Sequence, residues 1–188
     1  MSTTPNCLYT ARLVLRPPCP DDVEGYFAFA RDPRYAFFAF DGEVTRERIA
    51  RFLERYIVGP PEVHPMFVIE HEGELVGSAQ LDVDGPNRLA SLGYGVSPGC
   101  WGRGLATEAA RAVVEHGFKS FGLDKIWARV DPRNSTSIRV LEKLGMQREG
   151  VLRQHLIRRG ERVDRVYYGL LRQEWAFADS APAHVADH

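Results

Sequence analysis

From Ala11 to Arg16 polar and branched apolar residues alternate, and the run stops at Pro17 and Pro18, which predicts a half-buried strand with a firm end. The period then changes. Val23, Tyr26, Phe27 and Ala30 recur at helical spacing behind Asp21 and Asp22, which can cap a helix, and Asp32 with Pro33 breaks it. A second helix is expected from Thr45, with Ile49, Phe52, Leu53, Tyr56 and Ile57 on one face and Arg48 at the capping-box position where Glu or Gln is usual. Between the two helices, the aromatic run Tyr35 to Phe40 reads as core, or as an apolar wall beside a substrate.

Two β-rich runs, Met66 to Glu70 and Leu75 to Val83, flank His71-Glu72-Gly73-Glu74 and predict a hairpin, to which Leu89 to Val96 adds a third antiparallel strand. Beyond Pro98, Ala106, Ala109, Ala110, Val113, Val114 and Gly117 share one side of a long helix that Gly122 closes. Lys125 to Val130 is then a strand, Ser135 to Leu144 a helix ended by Gly145, and Val151 to Ile157 with Val163 to Leu171 a final hairpin. The order predicts an α/β (α+β) domain whose mixed, mostly antiparallel sheet of six or seven strands is flanked by about four helices. No repeat or long linker divides the chain, so residues 1–188 are expected to form a single domain, with 1–7 and 176–188 as flexible ends.

Composition narrows the function. A chain of 188 residues with 44% hydrophobic content can bury its own core, and a net charge of -1 supplies no global field toward nucleic acid or an anionic membrane. Cys7, Cys19 and Cys100 suit neither a disulfide framework nor a zinc site, so no metal is expected. The polar start and the lack of an apolar run near the ~20 residues of a membrane span point to a cytoplasmic protein.

The informative stretch runs from Gly99 to Glu108, between a strand and a strongly helical run. Gly102 and Gly104 permit a tight turn and close approach of a ligand, the next helix offers unpaired N–H groups at the positive end of its dipole, and Arg103 adds a charge. The physics is that of an anion site. A P-loop is excluded because Leu105 and Ala106 follow Gly104, and the G-x-G pairs at Gly93 and Gly102 lack the third glycine of a dinucleotide fingerprint.

With its surroundings, this stretch resembles the pyrophosphate-binding motif of the GNAT acetyltransferases: Gln or Arg, two residues, Gly, one residue, then Gly or Ala. Gly104 and Ala106 meet the last two positions, and Trp101 replaces the first, a substitution familiar in the RimJ/RimL-type branch, which acetylates protein N-termini and other amines. Further matches are Thr10 to Arg16, Leu92 to Val96, Arg129 to Asn134 and Leu141 to Met146, so the resemblance spans about residues 8 to 175.

The resemblance implies a sheet that splays between the strand ending at Val96 and the strand Lys125 to Val130, with acetyl-coenzyme A in the opening. The main chain of Tyr94, Val96 and Ser97 would then pair with the pantetheine arm. The stretch Trp101, Gly102, Arg103, Gly104, Leu105, Ala106 and Thr107 would receive the pyrophosphate, and the Val96 amide would serve as oxyanion donor. Where many GNAT enzymes hold a tyrosine that protonates the thiolate, this chain has Leu141; Ser137 is the branch's proposed substitute, with Asn134 on the cofactor or an ordered water. Taken alone, Asn134 and Ser137 are ordinary helix-cap residues.

Glu70, His71, Asp82, Asp84, Asp131 and His155 are the candidate bases, with His155 favoured for its titration near neutral pH. Cys100 beside a helix start is a weaker candidate nucleophile. The basic run Arg153, Arg158, Arg159, Arg162 and Arg165 is either a solvated hairpin face or an attractor for an acidic substrate or acyl carboxylate. The expected acceptor is a primary amine on a protein N-terminus or a small molecule. The alternatives are an antibiotic or polyamine acetyltransferase of the same fold and a non-catalytic acyl-coenzyme A sensor. A homodimer is compatible with the resemblance.

Overall fold

The computed structural model describes residues 7–175; the remaining residues of the two expected flexible ends lie outside them. Its strands are β1 (Leu8–Tyr9), β2 (Val14–Arg16), β3 (Met66–His71), β4 (Glu74–Asp84), β5 (Leu89–Val96), β6 (Lys125–Val130), β7 (Gln147–Arg158) and β8 (Glu161–Leu171). The α-helices are α1 (Asp22–Ala30), α2 (Pro33–Ala39), α3 (Arg46–Val58), α4 (Leu105–Ser120) and α5 (Ser135–Lys143), with a 3-10 turn at Pro98–Cys100. One sheet runs β1-β2-β3-β4-β5-β6-β8-β7. Every neighbouring pair is antiparallel except β5 with β6, which α4 joins as the crossover a parallel pair requires. The mixed, mostly antiparallel sheet expected from the sequence is therefore present.

Differences are local. The first predicted strand shrinks to Val14–Arg16, because the Thr10 side chain accepts from Leu13 N and closes a turn there. The aromatic run between the first two helices is itself helical. Asp32 accepts from Arg34 N at 2.9 Å and Pro33 takes the first helical position, so the residues expected only to stop α1 also start α2. Thr45 caps α3 through Arg48 N as expected, while the Arg48 side chain reaches the carbonyls of Asp41 and Glu43.

Helices cover both faces. Leu15, Ile69, Leu81 and Ala90 of the sheet pack with Ala109, Ala110, Val113 and Val114 of α4 in one core, and Tyr26, Phe29, Ile49 and Leu53 form a second core with Met66. Each large apolar side chain so buried contributes about 1.5–3 kcal/mol relative to exposure, enough to fix α4 against β4 and β5 and α1 against β4. Among the described residues, no helix is long and apolar enough to cross a membrane.

Candidate active site

β5 and β6 pair only through Leu89–Lys125, Ala90–Ile126 and Ser91–Trp127. Beyond these pairs the strands part at their carboxyl ends, the position where open sheets bind ligands. A cavity of about 670 Å³ fills the opening, lined by β5, β6, α2, the loop into α4, the start of α5 and part of the β7–β8 hairpin.

The β5 wall presents main chain. Ser97 N donates to Val76 O at 2.6 Å, one step beyond the Gly77–Val96 pair. Alternation in an antiparallel ladder then turns the main-chain groups of Val96 and Tyr94 away from β4 and toward the opening. The Val96 carbonyl is occupied by the Trp101 indole Nε1, which donates to it at 2.9 Å. So of the expected pantetheine partners, Ser97 has its N–H tied to β4 and does not line the cavity, while Val96 offers its N–H.

Gly102 and Gly104 have φ of 76° and 79°, the left-handed region where a side chain would add strain, and α4 starts immediately after. Its first intrahelical bond is Glu108 N to Gly104 O, so the N–H groups of Leu105, Ala106 and Thr107 have no partner within the helix. All three residues, with Trp101, Gly102 and Gly104, line the cavity, and the helix dipole adds positive potential there.

A brace holds this loop that the sequence reading did not find. Glu108 accepts from Thr10 Oγ1 at 2.6 Å and Arg12 Nε at 2.8 Å, and Arg12 Nη1 donates to the Arg103 carbonyl at 2.9 Å. Burial pushes the Glu108 carboxyl up, but these bonds outweigh it and hold it below its ordinary value. The Arg103 side chain does not line the cavity. Its Nη2 lies 2.8 Å from His71 Nε2, and His71 Nδ1 lies 3.1 Å from the Arg12 carbonyl, so Arg103 ties the loop to β3 instead of reaching over the opening.

On the α5 side, Asn134 Oδ1 accepts from Ser137 N at 3.0 Å, so Asn134 caps the helix while also lining the cavity. The Tyr94 phenol donates to Ser137 O at 2.9 Å and lies 2.8 Å from Ser137 Oγ. Burial pushes the Tyr94 phenol well up, beyond the lowering effect of Ser137, so it remains a proton-bearing donor. Leu141 is buried below them and carries no polar group.

The opposite rim is α2 and the last hairpin. Gly95 allows the Tyr35 ring to lie on β5, since a Cβ at residue 95 would fall 2.6 Å from Tyr35 Oη. Asp131 is the only carboxylate among the cavity-lining residues described, and no histidine lines it. The bidentate Arg133 bond holds Asp131 below its ordinary range against the opposing effect of burial. His155 is not brought to this cavity: its exposed ring lies against Tyr167, centroids 6.2 Å apart. Glu70 binds Arg16, Asp82 binds His64, and Asp84 closes the turn at Asn87, all away from the opening. Cys100 does line it.

Residues 12–147 match the acetyltransferase (GNAT) domain. The uncharacterized N-acetyltransferase p20 of Bacillus licheniformis is 30% identical over 175 residues, spanning 90% of this chain and 98% of its own. The crystal structure of a GNAT-family acetyltransferase from Bacillus anthracis superposes with a TM-score of 0.81 at 28% identity, over 89% of this chain and 99% of that one. RimL, a ribosomal L7/L12 alpha-N-protein acetyltransferase solved with coenzyme A, shares the fold with a TM-score of 0.82 at 16% identity, over 90% of this chain and 99% of that one. A parted parallel pair, a glycine turn into α4 and these likenesses have one explanation: the chain belongs to the GNAT family of N-acetyltransferases.

Proposed function

We propose that this protein transfers an acetyl group from acetyl-coenzyme A directly to a primary amine, within one complex of both substrates. The observation that carries the reading is the parting of β5 from β6 beside the start of α4, which aims one strand's main chain and one helix's free amides into the same cavity. The donor set fits the ligand: the amides of Leu105 to Thr107 and the backbone of Gly102 and Gly104 suit a diphosphate, the Tyr94 main chain suits an amide-bearing arm, and the Val96 N–H is left for the thioester carbonyl. Bound there, acetyl-coenzyme A supplies an activated thioester.

The chain's own groups do the rest. The Val96 N–H receives the negative charge that gathers on the carbonyl oxygen as the C–N bond forms. As the C–S bond breaks, Ser137 Oγ–H, placed by the Tyr94 phenol bound to the Ser137 carbonyl, gives its proton to the sulfur and regains one from water. The acceptor ammonium loses its proton to water, because Asp131, held ionised by Arg133, is a weak base. The Tyr35 ring over Gly95 helps exclude solvent from the amine side.

The test is thiol release: the protein is incubated with acetyl-coenzyme A and a panel of amines, and free coenzyme A is measured. Acceptor-dependent release is expected. Tight binding of acetyl-coenzyme A with no release for any amine would refute the enzyme reading in favour of an acyl-coenzyme A sensor.

A further inference from the structure

The cavity holds more positive charge than the donor's phosphates explain. On the α5 side, Lys143 stands beside α4, where Arg111 Nη2 donates to its carbonyl at 3.0 Å, so its charge belongs with the phosphate end. Arg158 and Arg165 lie elsewhere, on β7 and β8; both line the cavity, and Arg158 bonds directly to α2.

Neither has a carboxylate of its own. Arg158 Nη1 donates to the carbonyls of Phe37 and Phe38 in α2, and no carboxylate among the described residues pairs with it directly; Asp41 and Asp131 act on its charge only at longer range. The Arg165 side chain is 8% exposed, and its one ion-pair partner among the described residues is Asp131 Oδ2 at 3.6 Å, longer than a direct hydrogen bond. That carboxylate already accepts two side-chain bonds from Arg133. Burial is the largest influence and lowers both guanidinium pKa values; Asp131, and for Arg158 also Asp41, pull the other way, and neighbouring arginines lower them further. Two partly desolvated cations that line one cavity, with a single nearby carboxylate that Arg133 already holds, leave positive charge for an anion from outside the chain to pair with. Arg is also the side chain that matches a planar carboxylate with paired donors.

We propose that Arg158 and Arg165 form a carboxylate-binding subsite at the end of the cavity walled by α2 and the β7–β8 hairpin. The acceptor is therefore an amine bearing a nearby anionic group, not a polyamine. The proposal deepens the acetyl-transfer reading and rests on it for the identity of the occupant. Phe38 and Leu156 line the same end of the cavity and give room for an apolar linker between amine and carboxylate.

Three acceptors separate the possibilities: glutamate, glutamine amide and spermidine, each assayed by thiol release with acetyl-coenzyme A and with succinyl-coenzyme A. Wild-type kcat/KM for glutamate is expected to exceed that for glutamine amide by about tenfold or more, the factor one charge-assisted pair supplies. Arg165→Gln and Arg158→Gln should each reduce that ratio about tenfold; should the buried Arg165→Gln fail to fold by circular dichroism, Arg158→Gln alone decides. Equal or better use of glutamine amide or spermidine by the wild type overturns the proposal, as does an unchanged ratio in folded variants. An arginine-dependent preference for succinyl- over acetyl-coenzyme A, with no preference among acceptors, places the carboxylate on the acyl chain and overturns the acceptor assignment.

Calorimetry with glutarate, against glutaramide, reads the subsite without turnover. Glutarate binding that Arg158→Gln abolishes supports it even where thiol release fails for every amine. No glutarate binding by the wild type overturns it even where transfer is observed.

Discussion

Adding one methyl group at Gly77 tests whether the placement of the β5 backbone controls the chemistry. A Cβ on Gly77 would lie 2.3 Å from the Gly95 carbonyl oxygen, 3.0 Å from Val96 Cα and 3.1 Å from Val96 Cγ1. Ordinary C–H···O contacts are about 3.3–3.6 Å, so Gly77→Ala must push β5 about 1 Å away from β4. Two of the three close atoms are main chain, which cannot swing aside as a side chain can. The displacement is directed into the parted region, where Val96 turns its N–H toward the cavity.

Two magnitudes follow. Overpacking of this size costs about 1–3 kcal/mol of stability, which for a chain of this length lowers Tm by about 2–4 °C per kcal/mol. A misplacement near 1 Å of a group that receives transition-state charge lowers kcat/KM by about a hundredfold. Urea unfolding should show a reduced midpoint with an unchanged slope, and thiol release should show the rate loss. Gly85→Ala is the control. Nothing lies within 4 Å of its Cβ position, so its stability should be unchanged or raised by about 0.4–1 kcal/mol. A Gly77→Ala protein with the wild-type midpoint and turnover would refute the claim that the opening depends on the Gly77–Val96 pairing.

Ser137→Ala should lower kcat by about a hundredfold, the lower end of general-acid contributions, with acetyl-coenzyme A affinity nearly intact because the Tyr94 phenol keeps its bond to the Ser137 carbonyl; equal turnover would remove Ser137 from the mechanism. Acid should destabilise the protein through Asp22, where burial raises the carboxyl pKa but bonds from Arg16 and the Cys19 amide outweigh it and leave it lowered. Its stabilising contribution is complete above the unfolded value near about 4 and is lost as pH falls through the lower folded value, since the unfolded state takes up the proton first. Urea midpoints between neutral pH and pH 3 should therefore fall less steeply for Asp22→Asn than for the wild type; parallel curves would show that Asp22 contributes nothing to acid lability.

What was legible in the sequence was what local rules control. The start of α4 could be read because the glycines, the helical period and the orphan amides all fall within ten residues, and the structure puts both Gly102 and Gly104 at positive φ. α2 was missed for a reason equally local. Asp-Pro both ends and begins helices, and the run Tyr35 to Phe40 is apolar all round, so its periodicity could not arbitrate. The contacts that set the chemistry are another matter. Tyr94 meets Ser137 across 43 residues, Arg12 meets Glu108 across 96, and His71 meets Arg103 across 32. No spacing rule encodes such pairs, which is why Arg103 was expected over the opening and His155 in it.

Trp101 shows how a departure from a motif can be read only after folding. In the resembled pattern this position carries a hydrogen-bonding Gln or a cation, and an indole looks like the loss of both. In place, the indole N–H closes onto the Val96 carbonyl at 2.9 Å, joining the loop before α4 to the end of β5. That bond consumes an acceptor an incoming amide could have used, and in exchange it fixes the distance between two donors the proposed mechanism uses, the Val96 N–H and the first turn of α4. Rigid placement of existing donors is worth more to a transition state than one additional ground-state bond, because only the former lowers the barrier. The same logic explains why Arg12, Glu108 and His71 all hold the loop from behind, leaving its cavity side to main-chain amides whose positions are set by the fold.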